Sequence, residues 1–216
     1  MKTRLVIFDL DGTLLNTIGD LAVASNAMLA LRGLPQHSYD DYCQMVGNGI
    51  MRLVERALPE PLRTPYTVQA ARADFLRCYT EHIDTYTTPY DGIAELLDCL
   101  RRRGVLLAVA SNKFQAGTSK LISRFFPSIP FAAVLGQREG VPLKPDPQID
   151  LDCLRAAGVA PGEAVHVGDS GIDILTARAA GLRSVGVTWG FRARAELEEA
   201  CADRIIDRPD ELLDLL

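Results

Sequence analysis

Two carboxylates two residues apart, Asp9 and Asp11, end the apolar run Leu5-Val6-Ile7-Phe8 and are followed directly by Gly12 and Thr13. The run has no polar alternation, which suits a central parallel strand covered on both faces. In open α/β sheets, ligands bind just beyond the carboxyl ends of such strands. The two acids therefore stand where reactive chemistry would sit. The same residues also make an ordinary turn or helix N-cap, so this stretch alone leaves both readings open. Three more polar clusters follow: Ser111-Asn112-Lys113, Lys144-Pro145-Asp146-Pro147 and Gly168-Asp169-Ser170-Gly171-Ile172-Asp173. Each by itself reads as a cap or a turn. Together they fall at predicted strand ends or just beyond them, and in a parallel sheet those ends share one edge.

Strands able to bring the clusters to that edge are predicted at Leu5–Phe8, Val105–Ala110, Phe131–Leu135, Ala164–Val167, Ser184–Val187 and Arg204–Ile206. Helical patterns alternate with them at Asp91–Arg103, Thr118–Phe126, Gln148–Ala157, Ile172–Ala180 and Arg194–Ala202, three of them stopped by Gly104, Gly158 and Gly181. This alternation predicts an α/β fold with a doubly wound parallel sheet. Residues 16–88 break the rhythm. Thr17–Leu31, a short segment opened by Ser38 and Asp41, Ile50–Leu58 and Val68–His82 read as helices, with Pro59, Pro61 and Pro65 marking a loop. The expected division is an α/β core of residues 1–15 and 89–216 with an α-helical insert, 16–88. Because the insert leaves directly after Asp9 and Asp11, it is expected to stand over them as a cap.

The composition, 48% hydrophobic and 24% charged over 216 residues, is that of an ordinary folded protein able to build one core and a small second domain. A net charge of -5 argues against broad nucleic-acid binding, which needs a basic face. No apolar run reaches the length of a membrane span, and the stretch before Asp9 is too short for a signal peptide, so a cytoplasmic location with no membrane partner is expected. Five cysteines, never spaced Cys-x-x-Cys, speak against a disulfide framework or a zinc site. His37, His82 and His166 show no partner spacing. Asp146, Asp150 and Asp152 read as turn or first-turn carboxylates, and Trp189 and Phe191 as packing residues.

In their order along the chain, Asp9-Leu10-Asp11-Gly12-Thr13-Leu14, the strand ending in Ser111-Asn112, Lys144 and Gly168-Asp169 through Asp173 resemble the four motifs of the haloacid dehalogenase-like phosphatases. The likeness covers essentially the whole chain. The insert, through Val46-Gly47-Asn48-Gly49 and Glu55-Arg56-Ala57-Leu58, is most similar to that of the phosphoglycolate phosphatases. The resemblance implies that Asp9 attacks phosphorus to form an aspartyl-phosphate, that Asp11 serves as acid and then base, and that Lys144 neutralises phosphate and Asp9. It implies Mg²⁺ held by Asp9, Asp169 and the backbone carbonyl of Asp11, with Asp173 acting through water or behind the first ligands. Ser111, Asn112 and the turn at Gly12 and Thr13 would donate to phosphate oxygens. Lys113 has no assigned place. Four ionised carboxylates plus a phosphate dianion sum to about -6 against about +1 from Lys144, so phosphate binding needs the metal.

Substrate choice then falls to the cap. Gly47, Asn48 and Gly49 form the expected contact loop, since small residues allow close backbone approach and an Asn side chain both donates and accepts. Arg52 could meet a substrate carboxylate. The bland alternatives are a helix-breaking turn and a surface charge. The implied partner is a small anionic phosphorylated metabolite such as 2-phosphoglycolate, with the chain a monomer or homodimer. Two other readings stay open: a sugar phosphomutase of the β-phosphoglucomutase kind, and a phosphoacceptor signalling module, which would need neither the cap nor so long a chain.

Overall fold

The computed structural model describes residues 3–216. Strand β1 (Leu5–Phe8) is buried along its whole length. Val6 and Phe8 belong to the apolar cluster that holds Leu97 and Leu100, and Leu5 and Ile7 to the one that holds Ile149 and Cys153. Both faces of the strand are covered, which is why it has no polar alternation.

From β2 (Leu15–Asn16) the chain enters four helices, α1 (Ile18–Leu31), α2 (Tyr39–Met45), α3 (Gly49–Ala57) and α4 (Pro65–Glu81), and returns through β3 (Thr88–Pro89). The two short strands pair antiparallel, Leu15 opposite Pro89 and Asn16 opposite Thr88. Asp20 in the first turn of α1 ties the outgoing and returning chain together: its carboxylate accepts from the backbone N–H of Tyr86 at 3.0 Å and from the N–H and hydroxyl of Thr87 at 2.8 and 2.6 Å. Helix α2 opens on the expected Ser38–Asp41 capping box. Helix α4 begins three residues before the predicted Val68. Pro65 occupies its first position, where no N–H is needed, and the Thr64 hydroxyl accepts from Thr67 N–H at 3.2 Å.

The rest alternates as predicted: α5 (Ile93–Arg102), β4 (Leu106–Phe114), α6 (Gln115–Phe125), β5 (Phe131–Gln137), α7 (Gln148–Ala157), β6 (Ala164–Gly168), α8 (Gly171–Ala179), β7 (Arg183–Val187), α9 (Arg194–Glu199) and β8 (Arg204–Ile206). The sheet order is β5-β4-β1-β6-β7-β8, with every pairing parallel. From β1 the winding proceeds to β4 on one side and β6 on the other, so the crevice of an open α/β sheet lies at the end of β1. Strand β4 runs past the predicted Ala110 and takes in Ser111, Asn112 and Lys113. Its pairing with β5 slips there, from Ala110 opposite Leu135 to Phe114 opposite Gln137, so the polar trio forms a bulge at the strand end. Among the described residues, no helix is long and apolar enough to cross a membrane.

Candidate active site

Asp9 leaves β1 with its backbone N–H on the carbonyl of Val167 at 2.9 Å, which continues the β1–β6 ladder by one step and fixes where its carboxylate points. Lys144 reaches it from the loop before α7. The ammonium donates to Asp9 Oδ1 at 2.8 Å, Asp173 Oδ1 at 2.7 Å and the Ala110 carbonyl at 2.8 Å. The lysine is itself placed by Asn112, whose side-chain oxygen accepts from Lys144 N–H at 2.8 Å and whose amide donates to the Lys144 carbonyl at 3.2 Å. Asp173 completes the first turn of α8: its other oxygen accepts from the Ser170 hydroxyl at 2.6 Å and the Ser170 N–H at 3.1 Å. Asp169 is oriented by the N–H of Phe191 at 2.7 Å, a donor from the loop after β7.

Asp9, Asp169 and Asp173 each offer a carboxylate oxygen within 4.8 Å of the others, and all three are buried. Of these three buried acids, two share the Lys144 ammonium and Asp169 has none, and the charges respond. Burial pushes Asp9 up to about 6, with the charges of Asp173 and Asp11 adding to it against the pull of Lys144. Asp169 is raised well above the usual carboxylate range by burial and by Asp173 and Asp9. Asp173 is held below that range: burial opposes this, but Lys144 and His166 prevail. Hard oxygen donors with uncompensated negative charge are what a divalent cation of the Mg²⁺ or Ca²⁺ type binds, so the residues present fit such an ion.

The glycine at position 12 follows from this cluster. Its φ is +93°, and a Cβ there would collide with the Asp169 carboxylate. Gly12→Ala is expected to cost about 1–3 kcal/mol of stability and to lower activity well beyond that through the displaced Asp169. Thermal melting and steady-state rates measure the two effects, and full activity in the variant would show that Asp169 has room to move.

Asp11 is held apart from the cluster. Its Oδ1 accepts from the Thr17 hydroxyl at 2.7 Å, and Lys113 Nζ lies 3.0 and 3.3 Å from its two oxygens. Lys113 also donates to the Tyr79 hydroxyl of α4 at 2.6 Å, which gives the unplaced lysine of the sequence a position between Asp11 and the insert. Ser111 lines the cavity above Asp9, and Asn112 does so while its amide bonds the Gly47 carbonyl of the insert at 3.0 Å. Gly12 and Thr13, expected to donate to the same ligand, are not among the residues that line the cavity. Thr13 is fully buried, and its carbonyl accepts from Trp189 Nε1 at 3.0 Å. From the insert, Gly47 and Gly49 line the cavity, as do Val46, Ile50 and Leu53. Asn48 and Arg52 do not. Asn48 sits at the N-cap of α3, and the Arg52 side chain, 63% exposed, pairs with Glu55 at 2.6 Å on the outer face.

A model of the haloacid dehalogenase-like hydrolases matches residues 6–187. This chain belongs to that family. It is 34% identical over 214 residues to phosphoglycolate phosphatase 1 of Pseudomonas aeruginosa, covering 97% of this chain and 78% of that protein. It is 31% identical over 217 residues to the N-acetylmuramic acid 6-phosphate phosphatase of the same organism, covering 100% and 96%. A solved structure from Lactobacillus delbrueckii subsp. bulgaricus superposes with a TM-score of 0.94 at 32% identity, over 100% of this chain and 98% of that one. The hydrolase is a phosphatase of the phosphoglycolate phosphatase-like group, and the phosphomutase and phosphoacceptor readings give way to it.

One buried pair of this hydrolase goes beyond the sequence reading: Asp150 stands in the first turn of α7, as expected, and its partner is His166, for which the spacing showed none. His166 and Asp150, taken as bland, are both fully buried beneath the carboxylates, with His166 Nδ1 2.8 Å from Asp150 Oδ2. His166 Nε2 has no hydrogen-bond partner among the described residues and stands 3.5 Å from Asp173 Oδ1, a charge contact. The available signal was the strand position. His166 pairs with Ile7 in β6, so it faces the side covered by α7, where Asp150 follows Ile149. Burial opposes charge on the imidazole, but Asp150 and Asp173 outweigh it and push His166 up to about 9. A histidine raised from ~6.5 stabilises the fold fully below ~6.5 and loses that contribution as pH rises through the raised value. In chelator, the melting temperature is therefore expected to fall between pH ~6.5 and about 9, and His166→Leu to flatten that slope. Equal slopes in the two proteins would remove the assignment.

Proposed function

We propose that the protein is a Mg²⁺-dependent phosphomonoesterase working through an aspartyl-phosphate on Asp9. The observation that carries this is the Asp9 carboxylate itself: one oxygen is held by Lys144 within a three-carboxylate cluster, at the floor of a cavity roofed by the insert. A carboxylate so fixed is a nucleophile aimed by its surroundings, and a covalent intermediate divides one hard displacement into two easier ones. Asp11, whose rotamer Lys113 and Thr17 set, gives a proton to the leaving oxygen and takes one from the water that releases phosphate. Ser111 donates to a phosphate oxygen, and Lys144 offsets charge on phosphate and on Asp9. Asp9 and Asp169, with Asp173 behind them, would hold Mg²⁺, which would supply the positive charge a phosphate dianion needs to enter an acidic site.

Residues 16–88 act as the cap. Val46, Ile50 and Leu53 present apolar surface to the cavity, which excludes water from the reacting phosphate. The solved CbbY of Rhodobacter sphaeroides, similar to this chain at 26% identity with a TM-score of 0.81, was obtained in complex with phosphate, which supports a phosphate-sized ligand over this sheet edge. The substrate is a small anionic phosphate monoester, with 2-phosphoglycolate first to be tried because a relative 34% identical carries that activity in its name. Free phosphate should be released from it with Mg²⁺, vanish with chelator and return when Mg²⁺ is restored. Undiminished turnover in chelator contradicts the proposal.

A further inference from the structure

Of the described residues that line the cavity, three are cationic: Lys113, Lys144 and Arg192. The first two are committed. Lys144 directs its ammonium to two carboxylates and a carbonyl, and Lys113 to Asp11 and the Tyr79 hydroxyl. Arg192, in the loop between β7 and α9, differs. Its Nη1 donates to the carbonyl and the side-chain oxygen of Gln44, both at 3.2 Å, and its Nη2 to the Val46 carbonyl at 2.6 Å. All three acceptors are neutral. Among the described residues, the nearest carboxylate is Glu196 Oε2 at 3.7 Å from Nε, beyond hydrogen-bond distance, and the other oxygen of Glu196 is taken by Gly171 N–H at 2.9 Å. A guanidinium has five N–H donors, so these three bonds leave two donors without a hydrogen bond, on a side chain only 11% exposed whose charge meets Glu196 only across 3.7 Å.

We propose that Arg192 reads a carboxylate on the organic part of the substrate, which makes it the specificity-determining cation in place of Arg52. The inference rests on the phosphomonoesterase reading above. A carboxylate is the planar anion a guanidinium fork fits best, and three of the acids that line the cavity, Asp9, Asp11 and Asp173, are spent on the lysines. The names of two relatives point to the same chemistry, since phosphoglycolate and N-acetylmuramic acid 6-phosphate are both phosphate monoesters that carry a carboxylic acid. The arginine also grips the insert at Gln44 and Val46. A carboxylate meeting it is therefore read at the seam between insert and core, with the loop already down.

The test compares 2-phosphoglycolate with 2-hydroxyethyl phosphate, a counterpart of similar size with a hydroxyl in place of the carboxylate, in wild-type protein, Arg192→Gln and Arg192→Lys. The wild type is expected to prefer the acid. In Arg192→Gln the ratio of kcat/KM for the carboxylate ester over the hydroxyl ester should fall roughly 10- to 100-fold, mainly through KM for the former, the size of one lost charge-assisted contact. Arg192→Lys should recover part of the ratio. If Arg192 only fastens the insert, both esters lose equally, the ratio stays at its wild-type value, and the proposal is overturned. A wild type indifferent to the carboxylate overturns it as well. A wild type that hydrolyses neither ester removes the reading of a small carboxylate-bearing substrate and the proposal built on it, an outcome visible before any variant is made.

Discussion

Replacing Asp9 by Asn is expected to lower phosphate release at least ~10³-fold, as removal of a covalent nucleophile does elsewhere, while leaving the protein as stable as before or more so. The two halves of this expectation come from one arrangement. The amide matches the carboxylate in shape, so the cavity keeps its form, and Lys144 retains Asp173 and the Ala110 carbonyl as partners. What disappears is the anionic oxygen. The stability follows from the sign of the shift. Burial raises Asp9 to about 6, so at neutral pH and without a cation its ionised form works against the fold, and a neutral amide relieves that. Rates measured with Mg²⁺ and melting curves recorded in chelator test both halves. Turnover within tenfold of wild type would mean that another group attacks phosphorus.

Asp150→Ala is the largest stability loss expected outside the apolar core. It strips the partner from the fully buried His166, and breaking a buried pair from one side costs about 3–5 kcal/mol. For a chain of this size that lowers the melting temperature by roughly 6–20 °C. The chemistry should suffer too, since His166 helps hold Asp173 below the usual carboxylate range, with Lys144 the larger influence. Replacing Asp150 and His166 together by leucine should cost less than Asp150→Ala alone, because the uncompensated group is then gone. A double variant as unstable as the sum of its singles would show that packing, not charge pairing, sets the loss.

The sheet and the four polar clusters were legible because each is a local signal. Apolar runs without alternation gave the strands, glycine stops ended the helices, and acids or hydroxyls stood where those strands ended. The clusters could be joined because parallel strand ends share an edge. The roles of Lys113 and Arg192 were not legible in the same way. Lys113 sat in view beside Ser111 and Asn112, yet its partners Asp11 and Tyr79 lie far away in sequence, one in the core and one on α4. Arg192 has no motif of its own, and two of its three acceptors are backbone carbonyls, which any sequence can supply. Arg52 misled for the converse reason. Helical spacing put it near Asn48, but α3 turns its buried side, Ile50, Leu53 and Val54, inward and leaves Arg52 outside. The bland assignment of Gly12 as a turn residue was right about its backbone and incomplete about its neighbour, since Asp169 occupies the space of the missing Cβ.

The central claim is that phosphorus passes through a covalent bond to Asp9. Mixing the protein with Mg²⁺ and an excess of 2-phosphoglycolate, quenching during turnover and treating with borohydride reduces an acyl phosphate to an alcohol, which converts that aspartate to homoserine. Peptide mass spectrometry should then find homoserine at position 9 and at no other aspartate, and none when substrate is omitted. Steady phosphate release with Asp9 left unreduced, or with Asp11, Asp169 or Asp173 reduced in its place, would contradict it.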